Sequence, residues 1–255
     1  MKISSVLKEL KDNLQRGVYM IKCLNPDGTI GEFLSAKRGN STYASRTEKK
    51  KEIYRQGFFK GARNKTIMFI TLTVPYDKSY YGCKKSWRFI SKDSSLFIKA
   101  LIKLGLEKYI ISLESYEQGG CHAHLLTSWN IPFQTENKNE MINLTGKVKE
   151  KWINRIKKIY PHTRKRNLIT IEICQSLSES NFFLNYVFKW IGKYSNIEKA
   201  IDRVQNGYEI KSNDVKRLFA NYWGYKLQIR LFRTSRGLGT ETPCLVKETK
   251  REKKC

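Results

Sequence analysis

Two of the three histidines in this chain stand one residue apart, in the stretch LESYEQGGCHAHLLTSW that covers residues 113–129. Folded as a hairpin with its tip near Glu117 to Gly119, the stretch sets Glu114 directly across from His122. Side chains on a strand alternate between faces, so Ile110, Ser112 and Glu114 share one face with His122, His124 and Leu126. Tyr109, Ile111, Leu113, Cys121, Ala123 and Leu125 fall on the other, a small and apolar set suited to a core. Two imidazoles and one carboxylate on the open face of a sheet can hold a divalent ion and leave positions for water and a phosphate oxygen. The competing reading of H-x-H is ordinary polar surface. Cys121 beside His122 suggests zinc, but neighbouring strand residues point to opposite faces and do not ligate together.

A second set of reactive side chains lies in NFFLNYVFKWIGKYS, residues 181–195. Tyr186, Lys189 and Lys193 follow each other at i, i+3 and i+7 and lie on one helical face. A phenol with a pKa of about 10 is a weak nucleophile at neutral pH. A metal-polarised phosphate lowers the demand on it, and Lys189 can stabilise charge on the phenolate or the phosphoryl oxygens. Attack on a DNA phosphodiester leaves a 5′-phosphotyrosine and a free 3′-hydroxyl. The bond energy is conserved, so the step reverses and joins strands without ATP. The opposing reading takes Phe182, Phe183, Val187, Trp190, Ile191 and Tyr194 as a core stripe with Tyr186 merely among them.

Three stretches together resemble the HUH-type replication initiators, the rolling-circle Rep proteins of plasmids and single-stranded DNA phages and viruses. FITLTVP (69–75) is similar to the first motif of that family, HAH (122–124) to its histidine–hydrophobic–histidine motif, and YVFKWIGK (186–193) to its Y-x-x-K motif. The closing KLQIRLFRTSRGL resembles the last strand of phage-type initiators. The resemblance covers residues 66–238 and implies Mg²⁺ or Mn²⁺ on Glu114, His122 and His124, with Tyr186 as nucleophile and Lys189 assisting. It also implies a ferredoxin-like palm and a single-stranded DNA origin, typically a hairpin, as substrate. Trp190 stands where two-tyrosine members carry a second tyrosine, and Tyr194 is two turns away, so a one-tyrosine enzyme is expected. A second monomer would then make the second cut. LTGKVK (144–149) is no phosphate loop, since its first glycine is missing, so unwinding falls to a host helicase or to supercoiling, and synthesis to a host polymerase. A transposase or relaxase with the same chemistry is the nearest rival. A non-catalytic nucleic-acid-binding protein is the rival from another class.

The elements that must position these groups follow from periodicity. TIMFITLTV (66–74) reads as a strand with Met68, Ile70 and Leu72 on one face and Thr71 and Thr73 on the other. Those threonines would support the site, although β-propensity also explains them. Strands are expected at 17–24, 108–114, 121–129, 167–174 and from 225. Helices are expected at 3–14, 94–105 with Gly105 as its stop, 141–159 ending before Pro161, 179–194 and 212–222. Residues 35–65, basic and with little apolar spacing, read as a solvated loop or a DNA-contacting arm. Trp87, Tyr80 and Tyr81 read as loop aromatics that stack on bases or anchor a turn. His162 reads as surface. Lys193, Arg233 and Arg236 are expected to bind DNA, the two arginines by gripping its backbone, with a solvated basic edge as their competing reading.

The expected class is α+β, one central antiparallel sheet flanked by helices. The expected organisation is residues 1–65 as N-terminal helix, strand and basic arm on or beside the core, 66–239 as the endonuclease core, and 240–255 as a flexible tail. The 49 lysines and arginines outnumber 23 acids and give a formal charge of +26, which calls for a polyanionic partner. No run approaches the ~20 apolar residues of a membrane span. The amphipathic start does not read as a secretory signal, and six scattered cysteines fit reduced thiols in a cytoplasmic host compartment.

Overall fold

The structure, a computed structural model, describes residues 20–24, 30–34, 41–132, 138–162, 167–188 and 212–235, with the single residues 203, 206 and 238. The expected helix at 3–14 and the tail from residue 240 lie outside them.

Five strands form one sheet: β3 (Lys65–Thr73), β4 (Leu106–Ser115), β5 (Cys121–Pro132), β6 (Ile169–Ile173) and β7 (Phe232–Thr234). They lie side by side in the order β6-β3-β5-β4-β7, and every neighbouring pair is antiparallel. The α+β class expected from the sequence is therefore the one observed. A separate antiparallel hairpin joins β1 (Met20–Leu24) to β2 (Ile30–Leu34). The helices are α1 (Ser41–Gly61), α2 (Tyr80–Ile102), α3 (Lys138–Ile159), α4 (Leu177–Phe188) and α5 (Ser212–Lys226).

Strand alternation gives the sheet two unequal cores. On the larger face Met68, Ile70, Leu72, Ile111, Leu113, Cys121, Ala123 and Leu125 meet Trp87 and Phe97 of α2, Trp152 of α3 and Trp223 of α5. Trp152 packs its indole edge-to-face against Phe97 and Phe89, at 5.3 and 5.9 Å between centroids. On the smaller face Ile67, Phe69, Ile110 and Leu126 meet Phe58 near the end of α1 and Phe183, Leu184, Val187 and Phe188 of α4.

Three expectations from the sequence are corrected. Most of the basic segment 35–65 is the helix α1, not a loop or a free arm: Tyr54 and Phe58 of its last turns, and Ala62 just past its end, four residues apart, pack into the smaller core. Trp87 is not a loop aromatic for bases, because α2 starts at Tyr80 and the indole is fully buried. Ser79 caps that helix by accepting from Gly82 N, and Asp77 in turn accepts from Ser79 N. Residues 225 and 226 end α5 rather than opening a strand, since Leu218, Phe219, Tyr222 and Trp223 continue its buried stripe. Gly105 behaves as expected: its φ of +98° turns the chain after α2 into β4.

Candidate metal centre

The hairpin register matches the one drawn from parity. Glu114 pairs with His122, and Ser112 pairs with His124. On the far side of β5, Thr73 pairs with His122 and Thr71 with His124. β5 is the middle strand of five, so both histidines sit on the central strand, near its start at Cys121. Gly119 permits the turn with a φ of +93°, and its carbonyl accepts from the Trp87 indole at 2.9 Å. The tip is also tied to α5, where Ser212 and Lys216 both reach the Glu117 carboxylate.

Glu114, His122 and His124 each offer a ligand atom, and the three atoms lie within 4.8 Å of one another. Glu114 Oε2 stands 3.8 Å from His122 Nε2 and 3.7 Å from His124 Nε2. Both separations are too long for hydrogen bonds. They fall within the ~4.2 Å that can separate a pair of donors each about 2.1 Å from one ion. This face is not open as expected: exposures of 3, 8 and 6% place Glu114, His122 and His124 in the interior. Burial, helped by the charge of Lys216, pushes the His122 imidazole down to about 4, so it is neutral at physiological pH. The neutral ring is the form that ligates.

The two rings are held differently. Thr71 Oγ1 lies 3.0 Å from His124 Nδ1, and with that nitrogen donating to the hydroxyl, Nε2 keeps its lone pair. Nδ1 of His122 is buried and has no hydrogen-bond partner among the described residues. Each imidazole also ends an aromatic stack. Tyr76 lies 5.7 Å from Tyr116, which lies 4.3 Å from His122, with interplanar angles of 13° and 30°. Phe183 lies 4.3 Å from Phe69, which lies 5.4 Å from His124, at 11° and 7°. The two imidazoles are 4.7 Å apart and perpendicular, at 89°.

Tyr186, half-buried on α4, sets its ring edge-to-face against His124 at 4.9 Å and against Phe69 at 5.9 Å. Burial raises its phenol above the ordinary value, and the Glu114 carboxylate raises it further. Lys189, Lys193, Trp190, Tyr194 and Arg236 lie outside the described residues. His162 is exposed. Arg233 pairs with Ile111 in the sheet, so its side chain belongs to the face opposite the histidines. There it donates to the Ser91 carbonyl and to the hydroxyls of Ser94 and Ser95 on α2. Its guanidinium works inside the fold.

Tyr116, Tyr76 and Phe69 escaped the sequence reading. Parity was the available signal for two of them, since Tyr116 is two residues past Glu114 and Phe69 two before Thr71. Among known proteins, no family model, no curated protein and no solved structure matches this chain.

Proposed function

We propose that this chain is a metal-dependent tyrosine nuclease and strand transferase that cuts and rejoins single-stranded DNA at an origin, as HUH-type initiators of rolling-circle replication do. One observation carries the reading. A tyrosine ring sits 4.9 Å from an imidazole whose donors, with a second histidine and a glutamate, cluster within 4.8 Å.

The donor set fits a divalent ion: a carboxylate and two imidazoles, of which His122 is neutral and His124 is hydrogen-bonded to a threonine. Mg²⁺ or Mn²⁺ bound there would supply Lewis-acid polarisation of a phosphoryl oxygen. Tyr186 supplies the nucleophile. Its oxygen attacks phosphorus, the Oη–P bond forms, the P–O3′ bond breaks, and the departing 3′ oxygen takes up a proton. The phenol gives its proton to solvent. Reversal by a 3′-hydroxyl restores the phosphodiester and frees Tyr186. Because the phenol is raised by burial and by Glu114, neutralising that carboxylate favours its ionisation. The charge of +26 suits a DNA strand as substrate.

The test is a labelled single-stranded oligonucleotide library incubated with Mn²⁺ and resolved under denaturing conditions. A covalent protein–DNA adduct is expected from the wild type. Tyr186→Phe is expected to bind DNA with a similar salt dependence and to form none. Binding without any adduct from the wild type on its cognate origin would instead favour a non-catalytic DNA-binding protein.

A further inference from the structure

We infer that Tyr116 is the positioning residue for His122, holding the ring plane of one metal donor by stacking where the other donor is held by a hydrogen bond. This rests on the reading of Glu114, His122 and His124 as a metal centre.

The two histidines occupy equivalent places on β5 and have unequal neighbours. His124 has Thr71 Oγ1 at Nδ1, a hydrogen bond that restrains its ring angle. His122 pairs across the sheet with Thr73, but that hydroxyl lies 3.4 Å from the Tyr116 hydroxyl. Nδ1 of His122 has no hydrogen-bond partner among the described residues. An imidazole without such a bond can rotate about its terminal torsion, which is broad and poorly restrained by itself. Tyr116 removes that freedom by covering the ring at 4.3 Å. Thr73 holds the far end of Tyr116, and Tyr76 backs its outer face at 5.7 Å. Tyr76 is itself seated over Gly120, where any Cβ would come within 2.2 Å of its ring. Gly120, Tyr76, Tyr116 and His122 thus form a column that ends on the imidazole of a metal donor. Contact area does the orienting, so the phenol hydroxyl should matter less than the ring.

Mn²⁺ binding by calorimetry, on the full chain, tests this with wild type, His122→Ala, Tyr116→Phe and Tyr116→Leu, each checked for fold by circular dichroism. The His122 imidazole protons, shielded by the overlying ring, give a second readout by NMR of the metal-free protein. Tyr116→Phe is expected to stay within about threefold of wild type and to keep the shielding. Tyr116→Leu is expected to weaken Mn²⁺ binding by about tenfold or more, a typical loss when a ligand's support is removed, and to lose the shielding. A folded Tyr116→Leu protein that binds Mn²⁺ as tightly as wild type overturns the inference and leaves the metal centre standing. A wild type that binds no Mn²⁺, or a His122→Ala protein that binds it equally well, overturns the metal centre and the inference with it. If Tyr116→Leu does not fold, Tyr76→Leu takes its place. A severalfold loss of affinity is then expected, and an unchanged affinity overturns the inference.

Discussion

Among the site's side chains, Thr71 offers the clearest separation of chemistry from packing. Its hydroxyl partners His124 Nδ1, and valine has nearly the same shape without that oxygen. Thr71→Val is expected to weaken Mn²⁺ binding about 10- to 100-fold while the sheet stays intact. The measurement is the rise in melting temperature on adding Mn²⁺, since a ligand at about 100 times its Kd stabilises by about 2.7 kcal/mol. An equal rise in wild type and variant would mean that the hydroxyl does not orient the ring. Residue-level reading of the sequence succeeded where parity alone decides position. Glu114 meets His122 because a short hairpin with period-two strands leaves one register with the apolar set inward. The same rule extends to Tyr116, two residues past Glu114, but was not applied there, because a tyrosine beyond the end of a strand carries no local mark of its contact with an imidazole.

Helices were harder to read than strands, and particular residues explain why. The first half of α1 is almost wholly polar, and the smaller core takes Tyr54 and Phe58 near its end and Ala62 just past it, too few to establish a period. In α2 the buried stripe is interrupted by Ser86 and Ser94, both inaccessible to solvent. Each answers a structural demand: Ser86 donates to the Cys83 carbonyl and accepts from Cys121 N, and Ser94 accepts from Arg233. A polar residue that is buried and satisfied looks, in a string of letters, like one facing water. The hairpin between β4 and β5 makes a sharper prediction. Gly120→Ala drives a methyl into the Tyr76 ring, which must shift. A loss of about 1–3 kcal/mol in unfolding free energy is expected, as for other overpacked sites, measured by urea titration. No loss would show that the ring swings aside freely.

For the molecule as a whole, the division of labour between the two sheet faces is the governing feature. One face carries the larger core and three helices; the other carries a smaller core and the candidate centre. Arg233 was expected near DNA and belongs to the former. Arg233→Met should therefore lower stability by about 2–3 kcal/mol, the scale of hydrogen bonds to a charged group, and leave the salt dependence of DNA binding unchanged. A flatter salt slope with unaltered melting would return Arg233 to the DNA. Among the described residues no helix is long and apolar enough to cross a membrane. The +26 charge was legible from composition, but composition has no faces, and the side on which Arg233 sits came only from the strand register.

β5 has a partner strand on either edge and two further strands outside those. Its amides are therefore enclosed on both sides, and deuterium can reach His122 and His124 only when the sheet itself comes apart. In an exchange experiment those two positions should label among the slowest in the chain. The groups that would grip the ion are thus set in place by folding, before any ion or nucleic acid arrives.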